Sequence, residues 1–174
     1  NQDNHSDYAW NGPDNLNKVE GACNFEPKFL ELLSHPTLVK TAKEIINTEE
    51  TIDVYISKFF PMQPKIGEST YLHQDNFYFD GNPQRIVSCA IYLQDTSKDG
   101  VDSGIGGISW VDENILSDYK ILDLELKAPY AVFFDINMIH GCYPNTSDRT
   151  RFSLACEYIE TSNRDVVDVD FPFC

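Results

Sequence analysis

Basic residues are scarce in this sequence. Lysine and arginine together number 13 against 28 aspartates and glutamates, which gives a formal net charge of -15 and a pI near 4.4. A surface this acidic repels the phosphate backbone of nucleic acids, so a nucleic-acid partner is not expected. Polyanionic substrates are disfavoured for the same reason, except where a local cluster of basic residues binds them.

Long apolar runs and paired cysteines are missing as well. No stretch approaches the roughly 20 apolar residues of a membrane-spanning helix, and the polar start, NQDNHSDYAWNGPDN, lacks the apolar core of a secretory signal. The five cysteines show no CxxC spacing, which argues against a disulfide scaffold. Cys89 and Cys156 are therefore expected to be buried thiols. Together these absences favour a cytoplasmic location and no membrane partner, although Asn1 is not an initiator methionine and leaves a removed leader open.

The spacing of apolar residues divides the chain into a helical start and a β-rich remainder. Residues 1–22 are expected to be irregular, and 26–48 to be helical, because apolar residues recur there with helical spacing. Residues 51–160 show alternation typical of strands, interrupted by turn-forming Gly, Pro, Asn and Asp. The predicted strands are 51–60, 71–79, 85–94, 121–128, 130–140 and 149–160. This pattern predicts one domain over 1–174, an α+β fold that is mainly β and is built on a barrel or jelly roll.

One predicted strand, YLHQDNFYF, carries a histidine and an aspartate two residues apart. Side chains at i and i+2 of a strand project from the same face, so His73 and Asp75 would lie side by side. Phe77 and Phe79 share that parity and would line the same pocket. An HxD pair is weak evidence on its own, because chance produces it often in a sequence rich in aspartate.

A second element, FFDINMIHGCYPNTSDRTRFSL, supplies what the pair lacks. His140 would complete two histidines and one carboxylate, the ligand set of non-haem Fe(II) oxygenases that leaves one face of the metal open. A 2-oxo acid can chelate through two of the open positions, and O2 can take the third. Its far carboxylate would need a cation, which Arg151 could provide with Ser153 beside it, and Arg149 is the second candidate.

These two elements resemble the phytanoyl-CoA dioxygenase family of Fe(II)/2-oxoglutarate oxygenases, in which HQD precedes aromatic residues and a distal histidine precedes an arginine by eleven positions. The resemblance implies a double-stranded β-helix (a cupin-like jelly roll, residues 51–160) with the N-terminal helices packed on it. It implies His73, Asp75 and His140 as iron ligands and Arg151 as the 2-oxoglutarate-binding residue, with no catalytic residue beyond the metal ligands. The implied reaction is hydroxylation, or another C–H oxidation, of a small molecule by Fe(II), 2-oxoglutarate and O2, with succinate and CO2 released and ascorbate as a stimulant.

Some positions depart from the family pattern. Cys142 stands where the family often has serine, and Ala90 stands where it often has tryptophan. Two alternatives therefore stay open, a cupin-like metal enzyme that uses no 2-oxo acid and a non-catalytic binding barrel with a degenerate site. The sequence indicates neither the substrate nor the oligomeric state.

Overall fold

Two antiparallel sheets and a few helices make up the part of the chain that the computed structural model describes, residues 18–65, 70–79, 82–96, 117–120 and 122–164. The strands are β1 (Val19–Glu20), β2 (Ile52–Met62), β3 (Thr70–His73), β4 (Ile86–Tyr92), β5 (Tyr130–Phe134), β6 (His140–Cys142) and β7 (Arg151–Glu160). The helices are α1 (Ala22–Phe25), α2 (Pro27–Leu33), α3 (Pro36–Ile46) and α4 (Thr161–Arg164). The described chain is thus mostly antiparallel sheet with few helices, as the alternation predicts.

Five strands form the main sheet in the order β1-β2-β7-β4-β5, and β3 pairs with β6 in a second, two-stranded sheet. Every pairing is antiparallel. The order places β7, the last of the described strands, at the centre of the sheet between β2 and β4. No described helix is long and apolar enough to cross a membrane.

The N-terminal helices cover the outer face of the main sheet. Proline stands at the start of both α2 and α3, where its missing N–H costs no helical hydrogen bond. The buried side of these helices contributes Leu33, Ala42 and Ile46 to one apolar cluster with the outward residues of β4 and β7. Cys89 and Cys156 lie opposite each other in this cluster and are fully buried, which confirms the expectation for these two thiols.

The inner face of the main sheet presents the other residues of each strand. The register aligns Lys58 with Ala155 and Ala155 with Ala90, and one step further along the sheet it aligns Glu157 with Ser88. A row of small and polar side chains therefore crosses the middle of this face. Arg151 and Ser153 lie on the same face, nearer the start of β7.

Several predicted elements differ from the structure. Val19–Glu20 forms a strand where the sequence predicts irregular chain. The predicted strand 71–79 ends at His73, and residues 75–78 form a turn of 3-10 helix. Residues 122–127 form no strand, because their leucines are exposed and find no partner sheet among the described residues. Residues 1–17 and the glycine-rich 104–107 lie outside the described part.

Candidate metal and co-substrate site

The side chains of His73, Asp75 and His140 meet beside the inner face of the main sheet. Their potential ligand atoms all lie within 4.8 Å of one another. His73 is the last residue of β3 and His140 is the first of β6, and the two are direct partners in the two-stranded sheet. Their rings lie 4.3 Å apart between centroids. The pairing of two short strands thus brings together histidines that are 67 positions apart in the sequence.

Asp75 reaches the histidines by a different backbone path than the sequence suggests. It opens the 3-10 turn, and the amide of Asn76 donates to the carbonyl of Ile136 at 2.9 Å, which holds the turn against the segment before β6. The predicted neighbourhood of His73 and Asp75 is found, but strand parity does not produce it. The turn also separates the two phenylalanines: Phe77 is 76% exposed and Phe79 is buried in the interior. The prediction that both line the pocket is wrong for Phe77.

The geometry of the three groups suits a divalent ion. Asp75 Oδ1 lies 3.5 Å from His73 Nε2 and 3.6 Å from His140 Nε2. These separations are close to the roughly 3 Å between neighbouring ligands that each bond one ion at about 2.1 Å. His140 Nδ1 lies 3.0 Å from the carbonyl oxygen of Met138, which can only accept, so Nδ1 donates and the neutral ring keeps its Nε2 lone pair for a metal.

The electrostatics of the site keep Asp75 and His140 in the forms that bind metal. Burial raises the pKa of Asp75, but hydrogen bonds from His73 and Ser88 and the charges of His140 and Lys58 outweigh it and lower this pKa to about 2. Burial lowers the pKa of His140, partly offset by the Asp75 carboxylate. At neutral pH, Asp75 is therefore ionised and His140 is neutral.

Ser88 is a site residue that the sequence does not reveal. Its hydroxyl donates to Asp75 Oδ2 at 2.7 Å and leaves Oδ1, the oxygen nearer both histidines, available to a ligand. Lys58 and Glu157 were also not predicted. Only their inward position on the sheet identifies them, since a serine, a lysine or a glutamate in a strand carries no motif of its own.

Arg151 and Ser153 lie on the inner face of the main sheet, the same face that bears Ser88 and Glu157. Arg151 is partly buried, and its Nη2 donates to the carbonyl of Tyr143 at 3.0 Å and also contacts the sulfur of Met62. The rings of Tyr92 and Tyr130 stack nearby. Burial raises the pKa of both tyrosines, and the positive charge of Arg151 partly offsets this rise. The second candidate, Arg149, is exposed on the turn before β7.

Comparison with solved structures shows that this chain shares its fold with several proteins to which it is less than 20% identical. EctD from S. alaskensis, solved with 2-oxoglutarate and 5-hydroxyectoine, matches with a TM-score of 0.74 and 17% identity over 93% of this chain and 63% of EctD. EvdMO1 matches with a TM-score of 0.70 and 18% identity over 90% of this chain and 39% of its own. SnoN, a non-haem α-ketoglutarate-dependent epimerase from nogalamycin biosynthesis, matches with a TM-score of 0.68 and 16% identity, covering 87% of this chain and 66% of SnoN. The chain thus spans less than two thirds of the length of EctD and EvdMO1.

No curated protein sequence matches the chain. The sequence profile of phytanoyl-CoA dioxygenase (PhyH) matches residues 4–100, which is more than half of the present chain. The matched region includes His73 and Asp75 but not His140 or Arg151. The evidence that places His140 in the site is the geometry described above. The chain belongs to the phytanoyl-CoA dioxygenase family.

Proposed function

We propose that this protein is an Fe(II)- and 2-oxoglutarate-dependent oxygenase that hydroxylates, or otherwise oxidises at a C–H bond, a small organic molecule and releases succinate and CO2. The observation that carries the proposal is the convergence of two histidines and one carboxylate within 4.8 Å beside a sheet face that also bears Arg151. The triad alone fits several metal enzymes. The arginine on the same face is what favours a 2-oxo acid co-substrate.

His73, Asp75 and His140 would hold the metal. Two neutral imidazoles and one carboxylate suit ferrous iron and leave part of its coordination sphere to co-substrate and O2. When bound, the iron would supply chelation of the 2-oxo acid and the reduction of O2. The neighbour EctD has been solved with Fe and with 2-oxoglutarate, and this agrees with the assignment of both to the present chain.

Arg151 and Ser153 would hold the far carboxylate of 2-oxoglutarate. The middle of the inner face between them and the triad is formed by Ala90 and Ala155, whose short side chains leave room for a slender dicarboxylate. The guanidinium has five N–H donors, and within the described residues its hydrogen bonds are to the Tyr143 carbonyl and the Met62 sulfur, both from Nη2. Donors therefore remain for a bidentate contact with a carboxylate.

The topology supports a double-stranded β-helix over residues 51–160, because the candidate site lies between the main sheet and the two-stranded sheet. A single domain over 1–174 stays part of the proposal. So do a cytoplasmic location, a small-molecule partner and the lack of a nucleic-acid or membrane partner. The alternatives are a cupin-like metal enzyme that uses no 2-oxo acid and a non-catalytic binding barrel.

The proposal is tested by succinate release from 2-oxoglutarate in the presence of Fe(II), ascorbate and O2, first without and then with a panel of small organic substrates. Arg151→Met should weaken 2-oxoglutarate binding about tenfold to a few hundredfold, since a charge-assisted hydrogen bond contributes about 1.5–3 kcal/mol. Arg149→Met is the matched control. Arg149 is exposed and lies two residues from Arg151, so this substitution should leave 2-oxoglutarate affinity unchanged.

The outcomes separate the alternatives. Metal binding without any effect of 2-oxoglutarate would favour the enzyme that uses no 2-oxo acid. Absence of both metal binding and the weak visible charge-transfer band of an anaerobic Fe(II)–2-oxoglutarate complex would favour the non-catalytic barrel. Equal losses in the two arginine variants would remove Arg151 from the co-substrate site.

A further inference from the structure

A buried ion pair lies on the inner face of the main sheet beside the metal triad. Lys58 Nζ is 3.5 Å from Glu157 Oε1, and the side chains are 21% and 3% exposed. Lys58 lies opposite Ala155 in the register, so Glu157, two residues further along β7, projects from the same face. The pair is therefore part of the interior between the two sheets, unlike the exposed Lys40–Glu44 pair on α3.

Stability alone does not explain this pair. Removing two charges from water costs several kcal/mol per ion, and apolar residues of similar size often stabilise a fold equally well. The cost is greater here because Glu157 Oε2 is buried and has no hydrogen-bond partner among the described residues. The distance of 3.5 Å on the other carboxylate oxygen is also long for a charge-assisted hydrogen bond.

The register of the main sheet places this pair next to the metal site, because Glu157 lies opposite Ser88, whose hydroxyl donates to Asp75 Oδ2 at 2.7 Å. The positive charge of Lys58 helps to lower the pKa of both Asp75 and His140, after the larger effects of burial and of the triad's own contacts. Burial would lower the pKa of Lys58 itself, but the carboxylates of Glu157, Asp75 and Glu20 outweigh that effect and raise it. Lys58 therefore stays charged at neutral pH, on the inner face beside which the triad lies.

We propose that Lys58 is a second carboxylate-binding residue of this site, located at its metal end, and that Glu157 is the positioning residue that holds the ammonium there. This inference rests on the function proposed above. Lys58 lies opposite Ala155, four residues from Arg151 along β7, roughly 13 Å at the usual strand rise. Its ammonium extends from there towards Glu157, on the side away from Arg151, so a ligand with a carboxylate at each end would contact both cations.

A carboxylate at the metal end could come from two sources. It is either the carboxylate that a 2-oxo acid places on the metal or a carboxylate of the molecule that is oxidised. Both present the same chemistry to Lys58, an anionic oxygen that accepts from an ammonium whose present partner, Glu157, accepts only one long hydrogen bond. In both cases the ligand's carboxylate would shorten and complete the contacts of a lysine that is charged and mostly shielded from water.

The first arm of the test measures binding without turnover. Calorimetric titration of 2-oxoglutarate into Mn(II)-loaded, anaerobic protein should show affinity about tenfold to a hundredfold weaker in Lys58→Met, near the wild type in Lys58→Arg, and unchanged in Lys40→Met, whose lysine is 77% exposed on α3. Glu157→Gln should weaken binding less than Lys58→Met, because the ammonium remains but is no longer held.

The second arm detects a carboxylate supplied by the substrate. Protein loaded with Mn(II) and saturated with N-oxalylglycine is mixed with acetate, and the paramagnetic broadening of the acetate methyl signal is recorded. Broadening in the wild type that Lys58→Met abolishes, with 2-oxoglutarate affinity unchanged, would assign Lys58 to the substrate. A loss confined to the first arm would assign it to the oxo acid.

Lys58→Met leaves Glu157 buried without a counter-charge, so this variant is accompanied by the double variant Lys58→Met/Glu157→Met, which removes both charges and should fold. If the double variant binds Mn(II), 2-oxoglutarate and acetate as the wild type does, the inference is overturned and the proposed oxygenase function stands. If wild-type protein binds Mn(II) but no 2-oxoglutarate, the proposed function itself fails.

Discussion

At the scale of single residues, the most informative contact is the one that fixes Asp75. A carboxylate on a 3-10 turn can rotate, and a metal site needs one of its oxygens held towards the histidines. Ser88, on the main sheet, donates to Oδ2 of Asp75 and so leaves Oδ1 to bind the metal. Such partners of metal ligands commonly change metal affinity 10- to 100-fold when they are removed.

Ser88→Ala should therefore weaken binding of Mn(II) or Fe(II) by about tenfold or more, measured by competition with a chromophoric chelator. Little loss of fold is expected, since alanine fits within the space of serine. Ser57→Ala is the matched control: Ser57 is equally buried in the main sheet, but its hydroxyl accepts from the Cys23 amide on the outer face. Equal metal affinity in wild type and Ser88→Ala would contradict the orienting role.

The residues that could be predicted from the sequence are those with a fixed spacing. His73 and Asp75 are two apart, His140 and Arg151 are eleven apart, and the structure brings the first three together. Ser88, Lys58 and Glu157 could not be predicted, because their relevance depends on strand register. A shift of one residue would turn each of them to the outer, helix-covered face.

At the scale of elements, the two-stranded sheet is the least stable part of the site. β3 has four residues and β6 has three, and a lone pair of strands this short is marginally stable in water. Both histidines lie on this sheet, whereas Asp75 is tethered to the main sheet through Ser88. A bound ion would therefore join the small sheet to the large one.

Hydrogen exchange should report this joining. Adding Mn(II) to metal-free protein should slow amide exchange in 70–76 and 138–142, because local opening of these segments would then require loss of the metal. Exchange in β7, at the centre of the main sheet, should change little. Asp75→Asn, which removes the ligand charge, should abolish the effect. Uniform slowing across both sheets would instead indicate that the ion stabilises the whole molecule and not this joint.

Element boundaries show where sequence patterns stop being informative. The period-two runs predict β2, β4 and β7 because these strands are held on both sides within a sheet and alternate between helix-covered and inward faces. The run at 71–79 has the same pattern but turns after His73, where the Asn76–Ile136 hydrogen bond replaces strand pairing. The alternating leucines of 122–127 show that pattern without a partner strand among the described residues does not make a sheet.

At the scale of the whole molecule, the net charge of -15 opposes the compact state. Exposed ion pairs such as Lys40–Glu44 and Lys65–Asp148 contribute little, about 0–1 kcal/mol each, and cannot offset the excess of carboxylates. Two effects of salt therefore compete, since screening weakens these pairs and also weakens the general repulsion. With 28 acidic against 13 basic residues, relief of repulsion should be the larger effect.

The melting temperature of the metal-free protein should consequently rise between about 10 mM and about 0.3 M NaCl at pH 7, as the Debye length falls from about 30 Å to below 10 Å. A chelator in every sample keeps metal occupancy constant, and scanning calorimetry provides the measurement. The control is the same series near pH 4.4, where the formal net charge is close to zero and the rise should disappear. A melting temperature that falls with salt at pH 7 would show that specific ion pairs, and not the excess negative charge, dominate the electrostatics of folding.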